Sequence, residues 1–242
     1  KQFCPTQAID GKYGSPHRID SEKCIFCGQC LVNCPFGAPQ DTMDPVDSLI
    51  EKLKDSRTTV VATIAPAVRV AIGEEFGFEP GSLLTEKLYG ALKKAGFKIL
   101  DTNFTADQTI LEEGSELVAK IRHSLLGEPA AHHLGPLPQF TSCCPAWIRY
   151  IELNHPKLLP NLSSAKSPMM MAGALAKTYG AKEIWKTAPE SVYVVGVMPC
   201  TAKKFEASRP EFHSAAAYWR KQGSSADYPD IDTVLTTRDL AR

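Results

Sequence analysis

The chain has 242 residues, of which 43% are hydrophobic, so it is long enough to bury a substantial core and to form two domains. Its 27 basic residues balance its 27 acidic residues, which argues against a general nucleic-acid-binding protein. We find no apolar stretch long enough to span a bilayer and no signal peptide at the start. We therefore expect a soluble protein that binds neither nucleic acid nor membrane, and we expect it to be cytoplasmic because its cysteines suit a reducing compartment.

The first segment, residues 1–36, is rich in cysteine and contains the run Cys24-x-x-Cys27-x-x-Cys30-x-x-x-Cys34-Pro35. This spacing is typical of bacterial 4Fe–4S ferredoxins, in which three thiolates hold one cluster and the fourth holds the other cluster of a pair. Zinc is the alternative, but zinc usually takes paired cysteines separated by a longer spacer. A secreted disulfide scaffold is disfavoured because such chains are short and poor in core-forming segments. We therefore predict iron–sulfur ligands in a reducing compartment.

The pair Cys4-Pro5 matches the end of a preceding run of the same kind. By the cross-over rule, Cys4 would join Cys24, Cys27 and Cys30 on one complete cluster, and Cys34 would belong to a second cluster with its other ligands upstream. The segment is too small to fold by apolar burial alone, so metal binding would contribute to its folding. We expect residues 1–40 to form a ferredoxin-like domain.

The rest of the chain, residues 41–242, alternates strands with helices. A linker over about residues 37–57 leads into the first helix, and a Gly/Pro/His-rich loop covers roughly residues 124–139. Apolar, β-branched strands that alternate with helices indicate an α/β domain with a largely parallel sheet. The strands are predicted at Thr59–Ile64, Phe97–Leu100 and Val192–Val197. The helices are predicted at Val46–Lys54, at Leu84–Ala95 and at Ala106–His123, and two more should begin at Pro145 and Pro168. Ser82 is expected to cap the second of these helices and Gly96 to end it.

Two cysteine motifs lie in this second domain, Thr141–Trp147 (TSCCPAW) and Met198–Lys204 (MPCTAKK). Both place cysteine at a junction between loop and helix, where backbone N–H groups and the helix dipole favour a thiolate. Cys200 also follows a predicted buried strand. It should therefore lie at the carboxyl end of the parallel sheet, where open α/β folds place their sites.

These motifs, with Ser163–Pro168 (SSAKSP) between them, resemble the first two signature motifs of FeFe hydrogenases. The resemblance covers essentially the whole chain, because the segments Asp101–Asp107, Thr109–Glu113 and Asp232–Arg238 are similar too. It implies a hydrogenase catalytic domain with parallel sheets flanked by helices, preceded by the ferredoxin-like domain. The implied activity is reversible reduction of protons to H2, with electrons from a ferredoxin-like donor.

The resemblance also implies an H-cluster, which is a 4Fe–4S cubane bridged to a diiron unit with CO, cyanide and azadithiolate ligands. Cys144 and Cys200 would be two of the four cubane ligands, and Cys143 would donate and accept protons beside the azadithiolate. Lys203 would hydrogen-bond a cyanide ligand, a role suited to a charged donor in a dry pocket. The residues implied to line the diiron pocket are Ala65, Pro66, Pro168, Met169 and Met198.

A proton relay follows from the same resemblance. Glu113 and Glu116 lie three residues apart on a predicted helix and so share a face. With Ser163 and Cys143 they match the family's path from surface to cluster, and carboxylates, hydroxyls and thiols can all give and accept protons. From the residues alone, a solvated helix face is the alternative for both glutamates; the resemblance favours the relay.

The chain also departs from the family pattern. The third signature motif, which supplies the remaining cubane ligands, would lie beyond Arg242, so we expect a catalytic domain that needs the remaining hydrogenase segment to complete the H-cluster. Lys120 replaces an arginine near the outer end of the relay, and Met169 stands where many members have glutamine. Residues 213–229 resemble an insertion.

The alternative function is that of a non-catalytic relative, either a hydrogen sensor or an iron–sulfur assembly factor. Such relatives resemble the family at the cubane ligands but generally lack the thiol of Cys143 and the glutamate relay. Both features are present in this chain, so the sequence favours the enzyme.

Overall fold

The computed structural model describes residues 1–40, 45–130 and 134–242. The chain forms two compact units, one from Lys1–Thr42 with Ile110–Ala165, the other from Met43–Thr109 with Lys166–Arg242. The division into domains at residue 40 stays a prediction. Parts of the predicted linker (residues 41–44) and of the predicted Gly/Pro/His-rich loop (residues 131–133) lie outside the described residues.

Six strands and ten α-helices make up the described regular structure, with short 3-10 segments and a π-helix at Ala176–Ile184. The strands are β1 (Ile9–Asp10), β2 (Arg18–Ile19), β3 (Thr59–Ile64), β4 (Lys98–Asp101), β5 (Val192–Met198) and β6 (Thr233–Thr236). The helices are α1 (Gln29–Asn33), α2 (Val46–Lys54), α3 (Val68–Ala71), α4 (Thr85–Lys94), α5 (Thr102–Leu126), α6 (Pro145–Asn154), α7 (Pro168–Leu175), α8 (Ala202–Ala207), α9 (Ser214–Arg220) and α10 (Thr237–Ala241).

A four-stranded parallel sheet with the order β4-β3-β5-β6 lies at the centre of the second unit. The central strands β3 and β5 consist mainly of valine, isoleucine and alanine, which suit a sheet covered on both faces. Their side chains are almost all buried in one hydrophobic core. The predicted α/β class with a parallel sheet is confirmed. The strand β6 is not among the predicted strands.

The segments predicted to be helical are helical, although α4 and α5 begin and end at other residues than predicted. Helices α6 and α7 begin at Pro145 and Pro168 as expected, and α2 has the predicted bounds. The Ser82 hydroxyl donates to the carbonyl of Glu79, so this side chain does not cap α4, whose N-cap is Leu84. That expectation was wrong because Ser82 closes its own turn.

Helix α5 is longer than predicted. It starts at Thr102, directly after β4, because the carboxylate of Asp101 accepts a 2.9 Å hydrogen bond from the backbone N–H of Asn103 and so satisfies its first turn. It continues to Leu126, past the predicted end at His123. Among the described residues, no helix is long and apolar enough to cross a membrane.

Candidate iron–sulfur and proton-transfer site

In the first unit, four cysteines surround one small cavity. Cys4 precedes β1, while Cys24, Cys27 and Cys30 come from the loop after β2 and the start of α1, and all four line the cavity. Gly28 adopts a left-handed conformation with φ of 73°, which lets the chain turn between the last two of these cysteines. The structure therefore groups Cys4 with the Cys24–Cys30 run, as the cross-over rule requires.

The thiols in this cavity influence one another electrostatically. Burial raises the pKa of Cys24, and repulsion from the thiolates of Cys30, Cys27 and Cys4 raises it further. Burial opposes ionisation of Cys4 as well, but the backbone N–H of Ala8, with other local hydrogen bonds, lowers its pKa overall. A bound cation is the natural compensation for several thiolates gathered in one place.

The spacing of these cysteines is typical of ligands to a 4Fe–4S cluster, which offers four separate iron atoms to bind them. In the ranges 1–40, 45–130 and 134–242, no group of three or more histidine, cysteine, aspartate or glutamate side chains is placed to hold a metal ion. All eight cysteines of the chain are free thiols, so they are available as ligands.

Cys34 lies at the end of α1 and does not line the four-cysteine cavity. It lines a larger cavity that is also lined by Cys4 and Cys30, and whose apolar walls include Phe3, Ile19 and Phe36. Backbone N–H groups of Ala38 and Phe36 lower the pKa of Cys34. Because Cys34 does not line the four-cysteine cavity, its assignment to a second cluster stays a prediction with which the structure is compatible.

Cys143 and Cys144 are both exposed and precede α6 in the first unit. Cys144 is the N-cap residue of this helix, with Pro145 at the first helical position. The free backbone N–H groups of a helix start favour negative charge at this position. The predicted loop-to-helix junction is confirmed for Cys144.

Glu116 lies on α5, and hydrogen-bond donors from α5 and from the Ser163–Ser164 segment surround its carboxylate. Its Oε2 accepts hydrogen bonds from the Ser163 hydroxyl at 2.7 Å and from the Ser164 N–H at 3.0 Å. Its Oε1 lies 2.8 Å from Nζ of Lys120, whose side chain is completely buried. Burial opposes ionisation of Glu116, but Lys120, Ser163 and Ser164 together lower its pKa.

Glu113, one helical turn earlier, faces the segment that contains the adjacent cysteines. Its Oε1 accepts hydrogen bonds from the N–H of Ser142 at 3.2 Å and from the Ser142 hydroxyl at 3.4 Å. Ser142 also donates to the carbonyl of Ala165, whose N–H donates to Ser163. The structure thus links Glu113 to Ser163 and Glu116 through Ser142 and the backbone of Ala165, and both glutamates are partly buried and hydrogen-bonded, as a relay requires.

In the second unit, Cys200 lies at the carboxyl end of the parallel sheet. Strand β5 ends at Met198, Pro199 follows, and α8 begins at Ala202. The N–H of Lys203 donates to the carbonyl of Cys200, which fixes the turn between strand and helix. The partly exposed thiol of Cys200 therefore lies where the sequence predicted it.

Lys203 and Glu206 form an ion pair on α8. Nζ of Lys203 lies 2.7 Å from Oε2 of Glu206, and both side chains are largely buried. Lys204, the next residue, lies 2.9 Å from Asp239 at the start of α10. Glu206 was not singled out from the sequence, although its position three residues after Lys203 on a helix was a usable signal.

The residues expected to line the diiron pocket lie near the same end of the sheet. Ala65 follows β3 and donates its N–H to the carbonyl of Val197 in β5. The carbonyl of Pro168 accepts a 2.8 Å hydrogen bond from the Thr105 hydroxyl. Met169 and Met198 are members of the buried core, whereas Pro66 is exposed.

Sequence reasoning missed several partners of the predicted site residues. Ser142 is inconspicuous in the sequence because its neighbours Cys143 and Cys144 dominate the motif. Ser164, whose backbone N–H donates a second hydrogen bond to Glu116, is part of a motif in the sequence but has no predicted role of its own. Tertiary contact decides which of these serines meets a glutamate, and a single sequence does not contain that information.

Comparison with known proteins identifies the family of the chain. Residues 58–242 match the family described as iron only hydrogenase large subunit, C-terminal domain, and residues 17–40 match the 4Fe-4S binding domain. The chain is 48% identical over 243 residues to the periplasmic Fe hydrogenase large subunit of Nitratidesulfovibrio vulgaris, which covers 99% of this chain and 53% of the relative. It is 43% identical over 288 residues to iron hydrogenase 1 of Clostridium pasteurianum, with 100% of this chain and 46% of the relative covered.

A more distant relative is the cytosolic iron-sulfur assembly component 3 of Mus musculus, 30% identical over 232 residues, with 93% of this chain and 45% of the relative covered. Among solved structures, an FeFe hydrogenase studied for oxygen inactivation of its H cluster matches with a TM-score of 0.72 and 39% identity over 82% of this chain and 46% of that chain. An apo FeFe hydrogenase from Chlamydomonas reinhardtii matches with a TM-score of 0.70 and 38% identity over 82% of this chain and 47% of that chain.

The chain spans about half the length of the curated relatives that it matches. Within that half it has a 4Fe–4S binding motif and the fold of the domain that holds the H-cluster. The family match covers most of the chain, and the structural match has the same parallel sheet and flanking helices. The chain therefore belongs to the iron-only (FeFe) hydrogenase large-subunit family.

Proposed function

We propose that this chain is part of an FeFe hydrogenase that reduces protons to H2 and catalyses the reverse reaction. The observation that supports this most is the hydrogen-bonded group on α5. Glu116 is bonded to Ser163, and Glu113 is bonded to Ser142, the residue directly before Cys143. Two partly buried carboxylates that accept hydrogen bonds from hydroxyl groups are suited to moving protons.

The proposed H-cluster ligands in this chain are Cys144 and Cys200. The free thiols at helix starts fit thiolate ligands, and four such ligands are needed for a cubane, so two would come from the remaining hydrogenase segment. When bound, the diiron unit supplies the redox centre at which H2 is formed or split. Lys203 would donate a hydrogen bond to a cyanide of that unit, and Ala65, Pro66, Pro168, Met169 and Met198 would shape its surroundings.

The proposed proton path uses Glu116, Ser163, Glu113 and Cys143. Lys120 and the serine donors stabilise the Glu116 carboxylate, so a proton that this residue accepts from the surface would be released again readily. Glu113 faces the Ser142–Cys143 segment, and the Cys143 thiol would exchange the proton with the azadithiolate. Each member of this path can both donate and accept a proton at a different stage of the cycle.

The proposed electron path begins at a ferredoxin-like donor. A cluster held by Cys4, Cys24, Cys27 and Cys30, and a second one that shares Cys34, would pass electrons to the H-cluster. A cytoplasmic location belongs to the same proposal and rests on the free thiols of the chain. Because the relative from Nitratidesulfovibrio vulgaris is named periplasmic, cell fractionation is the test of that location.

The activity is tested by anaerobic H2 evolution from reduced methyl viologen. The natural full-length protein, loaded with the diiron cofactor, is compared with Cys143→Ala. We expect sustained evolution by the natural protein and near-complete loss in the variant, with the cubane signals unchanged. A natural protein that evolves no H2 despite intact cubanes and diiron unit would instead be a sensor or an assembly factor, the class to which the Mus musculus relative belongs by name.

A further inference from the structure

Three threonines lie on one face of α5 at its beginning. Thr102, Thr105 and Thr109 are spaced three and four residues apart, and their side chains are 5%, 0% and 5% exposed. Threonine is a poor helix former because its branched side chain loses rotamer freedom, and a buried hydroxyl costs free energy unless it is hydrogen-bonded. An apolar side chain would serve better at these positions if packing were all that they required.

The hydroxyl of Thr105 has two carbonyl acceptors within reach. One is the carbonyl of Pro168 at the start of α7, at 2.8 Å, and the other is the carbonyl of Thr102, one turn earlier in α5, at 3.0 Å. A hydroxyl has only one hydrogen to donate. Because the contact with Pro168 is the shorter one, the bond between the two helices prevails over the bond within α5.

Thr109 shows the reverse order. Its hydroxyl lies 3.1 Å from the carbonyl of Thr105, one turn earlier, and 3.3 Å from both the carbonyl of Lys166 and the sulfur of Met171. A thioether sulfur is a weak acceptor, and threonine in a helix commonly donates to the carbonyl one turn before it. The hydrogen bond of Thr109 therefore lies mainly within α5.

The position of Pro168 depends on its carbonyl. Pro168 is the first residue of α7 and has no backbone N–H, so hydrogen bonds can hold its backbone only through the carbonyl, whose two lone pairs serve more than one donor. The next residue, Met169, packs its sulfur against β5, where a methyl group on Gly196 would lie 2.8 Å from Sδ. The first turn of α7 is therefore held from α5 by a hydrogen bond and from β5 by close packing.

We infer that Thr105 is a positioning residue that acts through Pro168. Its hydroxyl fixes the carbonyl of Pro168 and so sets the position of the first turn of α7, which carries Pro168 and Met169. This inference rests on the proposed function, in which both of these residues surround the diiron unit. Without the hydrogen bond, the turn keeps its packing against β5 but loses its link to α5, and the surroundings of the diiron unit change.

The infrared bands of the CO and cyanide ligands report on these surroundings. The natural full-length protein loaded with the diiron cofactor is compared with Thr105→Val, which keeps the size and branching of the side chain and removes its hydroxyl. Thr109→Val is the matched control, because it makes the same change at a buried position of the same helix where the hydrogen bond lies mainly within that helix. We expect Thr105→Val to shift at least one band and Thr109→Val to leave all of them in place. Thr105→Ser restores the hydroxyl and should return the natural spectrum.

The inference is overturned if Thr105→Val leaves the bands unchanged, if Thr109→Val shifts them equally, or if Thr105→Ser does not restore them. Should Thr105→Val fail to take up the diiron unit, Thr105→Ala and Thr109→Ala are compared in the same way. Alanine removes the hydroxyl without pressing an apolar group against the carbonyl of Pro168. Identical spectra for these two variants overturn the inference as well.

The spectra separate this inference from the proposed function. A natural protein that evolves no H2 but whose bands depend on the Thr105 hydroxyl loses the hydrogenase proposal and keeps the positioning role. A protein that evolves H2 with bands insensitive to that hydroxyl keeps the hydrogenase proposal and loses the positioning role.

Discussion

The hydroxyl of Ser163 donates a 2.7 Å hydrogen bond to Oε2 of Glu116, a residue 47 positions earlier in the chain. Ser164 and Lys120 complete the surroundings of that carboxylate. Glu112, on another side of the same helix, is exposed. One helix therefore carries acidic residues with different surroundings, and this contrast makes the proposed proton path testable.

Replacing Glu116 by glutamine should slow proton delivery. Glutamine keeps the shape and hydrogen-bonding capacity of the side chain but cannot ionise, so a relay through this position is interrupted. Loss of a positioned proton donor or acceptor typically costs about 10²-fold or more in rate. We expect a fall of that size in H2 evolution from reduced methyl viologen, while the infrared bands of the diiron unit stay unchanged.

The matched control for this experiment is Glu112→Gln. It removes the same charge from the same helix at an exposed position. We expect its rate to stay within about two-fold of the natural protein, because exposed charges are screened. Equal loss of activity in both variants would show that net charge on α5, rather than a relay, limits the reaction.

The stability of the protein should depend on the ionisation of Glu116. Although burial opposes ionisation, Lys120 and the serine donors lower the folded-state pKa of Glu116, so its carboxylate stabilises the fold above the unfolded pKa of about 4.3. This stabilisation is lost as the pH falls through the folded-state pKa. The difference in unfolding free energy between the natural protein and Glu116→Gln should therefore be largest near neutral pH and shrink in acid. Urea unfolding of the apoprotein at several pH values measures it, and a difference independent of pH contradicts the assignment.

The cysteines of residues 1–36 should divide into two spectroscopic classes. Because Cys4 and Cys27 line the four-cysteine cavity and Cys34 does not, Cys4→Ser and Cys27→Ser should impair the same cluster. We expect these two variants to give the same residual electron paramagnetic resonance spectrum in the reduced full-length protein, and Cys34→Ser to give a different one. Coincidence of the Cys34→Ser and Cys27→Ser spectra would place Cys34 on the first cluster.

Replacing two glycines in helix interiors by alanine should change the free energy of unfolding in opposite directions. A methyl group on Gly173 in α7 would meet the backbone carbonyl of Asp230, which cannot move aside without displacing its segment. We expect Gly173→Ala to destabilise the protein by about 1–3 kcal/mol, the range for overpacking. A methyl group on Gly90 in α4 meets nothing, so Gly90→Ala should stabilise the helix by about 0.5–1 kcal/mol. Thermal unfolding of both variants measures the difference, and the same sign in both would contradict the packing described for Gly173.

Sequence patterns predicted those features that depend on local or short-range order. The β-branched composition of Thr59–Ile64 was sufficient for a buried strand, and proline at positions 145 and 168 correctly marked the helix starts. The spacing of Cys24, Cys27 and Cys30 was sufficient for an iron–sulfur ligand run.

Features that depend on tertiary contact could not be predicted from the sequence in this way. The short strand Thr233–Thr236 is recognisable only through its pairing with β5. Glu206 is buried on α8 together with Ala202 and Lys204, and a six-residue helix has too few positions for a clear apolar period. The hydrogen bond from Ser142 to Glu113 joins positions 29 residues apart, and nothing in the local sequence pairs them.

Isotope exchange between H2 and D2O tests the central claim most directly, because it requires splitting of H2 and proton transfer but no external electron donor. The diiron-loaded, full-length natural protein and its Cys143→Ala variant would be incubated under H2 in D2O, and HD would be followed by mass spectrometry. Our account predicts catalytic HD formation by the natural protein and strong suppression in Cys143→Ala, with the diiron infrared bands present in both. Absence of HD formation by the natural protein with those bands intact would contradict the proposal that this chain is part of a hydrogenase.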